Sequence, residues 1–89
     1  MARYLVEAYV PRARARQVGA SVGLVLEAAR ALTREGSAVR VIRTTSIPDD
    51  DTCFYVVEAD SLEVVRELCV HAGLYSARVV EAFELPSDH

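Results

Sequence analysis

TCFYVVEADSLEVVRELCVHAG, Thr52 to Gly73, changes its period halfway along. Its first eight residues, Thr52 to Ala59, are rich in β-branched and aromatic side chains and read as a strand. From Ser61 the apolar residues Leu62, Val65, Cys69 and Ala72 recur at helical spacing, and Gly73 stops the helix. Asp60 or Ser61 caps it. With Asp60 in that role Glu63 falls three residues on, the spacing of a capping box. A strand that passes straight into a helix is half of a βαβ unit, so the flanking segments decide the topology.

Upstream, RYLVEAYV (3–10) reads as a strand ended by Pro11. Tyr4, Val6, Ala8 and Val10 form one face and Arg3, Leu5, Glu7 and Tyr9 the other. Beyond Pro11 the residues Val18, Val22, Val25, Ala29 and Leu32 form a helical stripe, so a helix is expected over about 14–35, ending at Gly36. Gly19 and Gly23 lie inside it at about 1 kcal/mol each relative to Ala, a penalty that a close approach to the sheet offsets. AVRVIRTT (38–45) is the second strand. IPDDD (47–51) is a hairpin tip, because Pro48 cannot serve a ladder and three aspartates repel one another. ARVVEAFEL (77–85) is the last strand, ended by Pro86, and 87–89 are a frayed tail.

The order is βαββαβ over one domain, residues 1–86. It predicts an α+β, ferredoxin-like fold: a four-stranded antiparallel sheet in the order 4-1-3-2 with two helices on one face. The strands are apolar on both sides. The third strand offers Phe54 and Val56 one way and Cys53, Tyr55 and Val57 the other, and the last strand offers Val80 and Ala82 against Val79, Phe83 and Leu85. A second apolar face marks an interface, so a homodimer packed sheet to sheet is expected, with a partly polar space between the sheets.

The totals narrow the function. Hydrophobic residues make up 52% and charged residues 26%, a globular balance. A net charge of -3 disfavours nucleic acid, whose phosphates call for a basic surface. RARAR (12–16) reads as a solvated helix start, and the third strand lacks the glycine and basic residues of RNA-recognition domains. No apolar run approaches the roughly 20 residues of a membrane span. Arg3 and Glu7 interrupt any signal-peptide core. Two cysteines make no disulfide framework. A cytoplasmic protein with reduced thiols is expected.

RYLVE (3–7) with Pro11, TCFYVVEADSLEVVRE (52–67) and HAGLYSARVVE (71–81) together resemble a family of small actinobacterial and proteobacterial proteins described as nickel-responsive-protein-like. The resemblance covers most of the chain and is strongest from Thr52 to Glu81. It implies a ferredoxin-like fold, dimers of the α/β-barrel type and, in some members, nickel binding. Many members carry His where Leu68 stands, Pro where Tyr75 stands and Lys where Asp51 stands. His71 lies three residues beyond the family's histidine position.

Candidate ligands are few. Residues two apart on a helix point about 160° from one another, so Cys69 and His71 cannot share an ion. Glu67 and His71, four apart, have the spacing of a weak two-donor site for nickel or another divalent metal. The other reading is a solvent-side pair near a helix C-terminus, where a cationic imidazole suits the dipole. Cys69 reads as core. Glu7, Tyr9, Cys53, Tyr55 and Glu81 are the candidate lining of a ligand pocket. Glu7 and Glu81 sit on neighbouring strands, and Glu7, with Arg3 or Arg43 to hold it, is the candidate for a carboxylate of perturbed pKa. Cys53 joins the pocket if its side of the strand faces the inter-sheet space, and otherwise packs in the core.

The sequence therefore favours a dimeric binding protein for a metal ion or small molecule. A dimeric α/β-barrel enzyme of the cofactor-free monooxygenase or isomerase type and a small-molecule-sensing regulatory domain are the alternatives.

Overall fold

The computed structural model describes residues 1–10 and 18–86. The elements are β1 (Ala2–Tyr9), α1 (Val18–Arg34), β2 (Val39–Ile47), a 3-10 turn (Pro48–Asp50), β3 (Thr52–Ala59), α2 (Leu62–His71) and β4 (Arg78–Ala82). The strands form one antiparallel sheet in the order β2-β3-β1-β4. This is the expected ferredoxin-like α+β arrangement.

Burial alternates strictly along the central strands. Tyr4, Val6 and Ala8 of β1 and Cys53, Tyr55, Val57 and Ala59 of β3 are buried, and their neighbours are not. That period of two places one face under the helices. Val25, Ala28, Ala29 and Leu32 of α1 and Val64, Val65, Leu68 and Cys69 of α2 meet it. Each fully buried Val or Leu contributes roughly 1.5–3 kcal/mol.

Both helices end as their glycines require. Gly36 and Gly73 have positive φ, 99° and 77°. After α1, Ser37 N–H donates to the Leu32 carbonyl and Gly36 N–H to Thr33; after α2, Leu74 N–H donates to Cys69 and Gly73 N–H to Val70. Each end is a complete Schellman motif. Ser61 caps α2, its hydroxyl accepting from Val64 N–H at 3.3 Å. This corrects the capping box expected on Asp60: with Ser61 as cap, the third helical position is Val64, and Glu63 is one residue too early.

Three further expectations change. Gly19 and Gly23 are exposed, with nothing within 4 Å of an added Cβ, so no close approach to the sheet offsets them. β2 runs on to Ile47, because Ser46 and Ile47 pair with Cys53 and Thr52 before the chain turns. β4 stops at Ala82, since its partner β1 begins at Ala2 and the Arg3–Ala82 pair is the last rung; Phe83 and Leu85 lie exposed beyond it. The start of the first helix (14–17), the RARAR stretch and the 87–89 tail fall outside the described residues.

β2 also carries a bulge between Val41 and Arg43. Val39 and Val41 pair with Ala59 and Val57 on the helix side, whereas Arg43 pairs with Val56 on the other. The extra residue, Ile42, switches the strand's phase, so Thr44 and Ser46 rather than Arg43 and Thr45 face inward.

The core holds one conflict. The Tyr55 side chain is almost wholly buried, and its hydroxyl has no hydrogen-bond partner among the described residues. Burial, and then the neighbouring Cys53 and Cys69 thiols, hold its pKa far above the usual phenol range. A buried hydroxyl without a partner is a net penalty. Tyr55→Phe is therefore expected to match the wild type in urea unfolding or to exceed it by about 1 kcal/mol. A loss of that size instead would show that the hydroxyl is bonded.

Candidate functional site

Among the described residues nothing covers the face turned away from the helices, and the strand register arranges it in rows. At its centre lie Val56 of β3, Leu5 of β1 and Val80 of β4, side by side. Phe54 joins them in the next row, beside Glu7 and Arg78. These four apolar side chains are only partly buried. Tyr9, at the end of the face, is exposed.

A row of charge crosses one end of this apolar centre. Arg40 of β2 donates to Glu58 of β3 at 2.7 Å, Arg3 of β1 donates to the other Glu58 oxygen at 3.0 Å, and Arg3 also donates to Glu84 beyond β4. The pairing register puts Arg40, Glu58 and Arg3 directly opposite one another, which is why the three side chains meet. The Arg40 guanidinium, then that of Arg3, holds the Glu58 carboxyl below its usual range. Glu58 and then Glu84 raise Arg3 in return. At the other end Glu7 lies 3.7 Å from Arg78.

The expected pocket residues divide between the two faces. Glu7 and Tyr9 lie on the open face. Cys53 and Tyr55 lie under the helices, both buried, so Cys53 is a core thiol and does not front the open face. Glu81 pairs with Tyr4 on the helix side, at the exposed outer edge of the sheet. The expected meeting of Glu7 and Glu81 does not occur: Glu7 pairs with Arg78, and three residues along a strand reverse the face. Arg78 takes the place foreseen for Arg3 or Arg43. The carboxylate fixed between two guanidinium groups is Glu58.

Glu67 and His71 are both exposed on the outer side of α2. Among the described residues no three His, Cys, Asp or Glu side chains gather where they would hold an ion. Leu68 is buried in the core. Two exposed donors do not make a resident metal site. Cys69 is buried, and burial pushes its thiol up. The Pro48–Asp50 turn is an exposed hairpin tip, as its composition predicts.

Clefts among the described residues include two that flank the helices. The larger, about 680 Å³, opens between α1 and β2, with Leu26, Ala29, Val39 and Val41 as its apolar wall and Arg30, Arg34 and Arg40 at its rim. The smaller, about 360 Å³, lies between α2 and β4 beside Cys69 and Tyr75. Sequence reasoning missed the larger one. Arg30 and Arg34 are visibly one turn apart, but Arg40 joins them only through the register of β2.

No known family, curated protein or solved structure matches the chain. The likeness to nickel-responsive-protein-like domains thus stands on the quoted residues alone.

The pairing of Glu58 gives a pH dependence with a definite sign. A carboxylate whose folded pKa is depressed stabilises the fold above its unfolded pKa, about 4.3 for Glu, and loses that contribution as pH falls through the lower folded value. Glu58→Gln should be less stable than the wild type at pH 7, and the gap should close in acid. Urea midpoints from pH 7 to pH 2 check this; a gap that stays constant or widens on acidification rules the pairing out as its source.

Proposed function

We propose that this protein is a non-enzymatic binding module that works as a homodimer, two chains meeting through their open sheet faces around a shared ligand space. The observation that carries the reading is the uncovered row of Val56, Leu5 and Val80, with Phe54 beside it and ion pairs at both ends. An apolar centre inside a charged rim is the anatomy of a protein interface. The rim pairs, set by register, supply the polar part of the space between sheets. Binding is favoured over acid–base catalysis because Glu58, fixed as a carboxylate between two arginines, is a poor proton donor or acceptor near neutral pH. Two free, buried cysteines accord with a reducing, cytoplasmic setting. Among the described residues no helix is long and apolar enough to cross a membrane.

Sedimentation equilibrium at micromolar concentration is expected to give twice the 9.8 kDa chain mass. Val56→Arg, which puts a charge at the centre of the face and leaves the core untouched, should give one chain mass with unchanged circular dichroism. A wild-type mass of one chain, or a Val56→Arg variant that still dimerises, contradicts the reading.

Divalent metal binding is the second reading, and the exposed Glu67–His71 pair, one helical turn apart, favours it. In a sheet-to-sheet dimer the α2 helices lie on opposite outer surfaces, so the two-fold cannot bring two such pairs together. The site would then be a weak two-donor one, filled only at high metal concentration. Millimolar nickel should raise the thermal midpoint of the wild type and not that of His71→Ala, because a ligand of the native state stabilises it. No rise with nickel removes the metal reading and leaves the dimer untouched.

A further inference from the structure

The cleft between α1 and β2 lies at the edge of the sheet, outside the central apolar row of the open face, and shares with the charged rim of that face only Arg40 and Glu58. Its wall is apolar: Leu26 and Ala29 on the helix, Val39 and Val41 on the strand. Its rim is cationic. Arg30 and Arg34 make no hydrogen bond or ion pair among the described residues. Arg34, in the last turn of α1, also answers the helix dipole. Arg30, a full turn earlier, has no such structural role. Among the described residues Glu58 is the one acidic group lining the cleft, and it is already engaged by Arg40 and Arg3. The charge balance at the mouth therefore favours an anion.

The edge strand narrows the class of ligand. β2 is an outer strand, and an open edge invites another strand. At the base of the cleft that edge is closed from within: the Thr33 hydroxyl accepts from Val39 N–H at 3.2 Å and donates to the Val39 carbonyl at 3.0 Å. The Val39 N–H and carbonyl that an added peptide would need there are taken. What remains is an apolar trough beside guanidinium groups that are unpaired among the described residues, and its volume falls in the range of small-molecule sites. A guanidinium pairs with a carboxylate in a planar, two-bond geometry that ammonium groups do not offer, and every basic residue in the chain is Arg.

The geometry points to a second binding site in this cleft, for a small amphiphilic carboxylate: an apolar body lying along Leu26, Ala29, Val39 and Val41, its carboxylate held by Arg30 and Arg34. The site lies within one chain and does not depend on the proposed dimer.

Titration of the full chain with decanoate, followed by amide chemical shifts, tests it. Saturable shifts are expected within residues 26–41. Decanol, which lacks the charge, should bind at least about tenfold more weakly, the scale of one charge-assisted hydrogen bond, and acetate and decylammonium should not saturate. The double variant Arg30→Gln, Arg34→Gln alters exposed side chains and should keep the fold; it should lower decanoate affinity about tenfold and leave decanol unchanged. Val56→Arg should bind decanoate as the wild type does, which separates this site from the sheet face. Equal binding of decanoate and decanol, indifference to the double variant, shifts centred on Leu5, Val56 and Val80, or no saturation by decanoate would each overturn the proposal.

Discussion

Val6 of β1 and Tyr55 and Val57 of β3 lie against Leu32 and Val25 of α1 and Val65 and Leu68 of α2, all of them almost free of solvent. This one-sided burial of two central strands is the constraint from which the rest follows. A slip of one residue in β3 would bring Glu58 and Phe54 under the helices and expose Tyr55 and Val57. Losing several side chains at roughly 1.5–3 kcal/mol each would consume most of the roughly 5–15 kcal/mol by which a domain is stable. The register is thereby fixed, and fixed tightly enough to hold the Tyr55 hydroxyl without a partner among the described residues.

The fixed register dictates the open face. Once even-numbered positions of β1 and odd-numbered positions of β3 point inward, Arg3, Leu5 and Glu7 must lie outward beside Glu58, Val56 and Phe54. The ion row and the apolar centre are therefore by-products of core packing. Glu58 has its two arginines because each stands directly opposite it in the ladder. The bulge in β2 serves both faces at once. It keeps Val39 and Val41 inside, as part of the α1–β2 cleft, while turning Arg43 outward.

The topology was legible because period and punctuation agree. Thr52 to Ala59 alternates cleanly, and Gly36 and Gly73 end their helices by the backbone geometry that only glycine adopts at little expense. The make-up of the two sheet faces was legible in outline, since parity sorts the residues of β1 and of β3 into two sets each; which set lies under the helices was not. What could not be read was lateral placement. Glu7 and Glu81 sit on neighbouring strands, yet which residues oppose each other depends on an offset set by the α2–β4 connection, and it placed them on opposite faces. Parity leaves Cys53 and Tyr55 open to either face; burial under the helices decides it. The cleft was invisible because Arg30, Arg34 and Arg40 come from a helix and a strand whose approach is set by Thr33 bonding to Val39. Nothing in the period of either segment encodes that contact.

The central claim is that two chains meet through the face carrying Leu5, Val56 and Val80. It is tested most directly by isotope-filtered nuclear Overhauser spectra on an equal mixture of labelled and unlabelled protein, in which only contacts between chains appear. Cross-chain signals from the Leu5, Val56 and Val80 methyl groups are the predicted result. Cross-chain signals confined to the outer side of α2, or none at all, would contradict it.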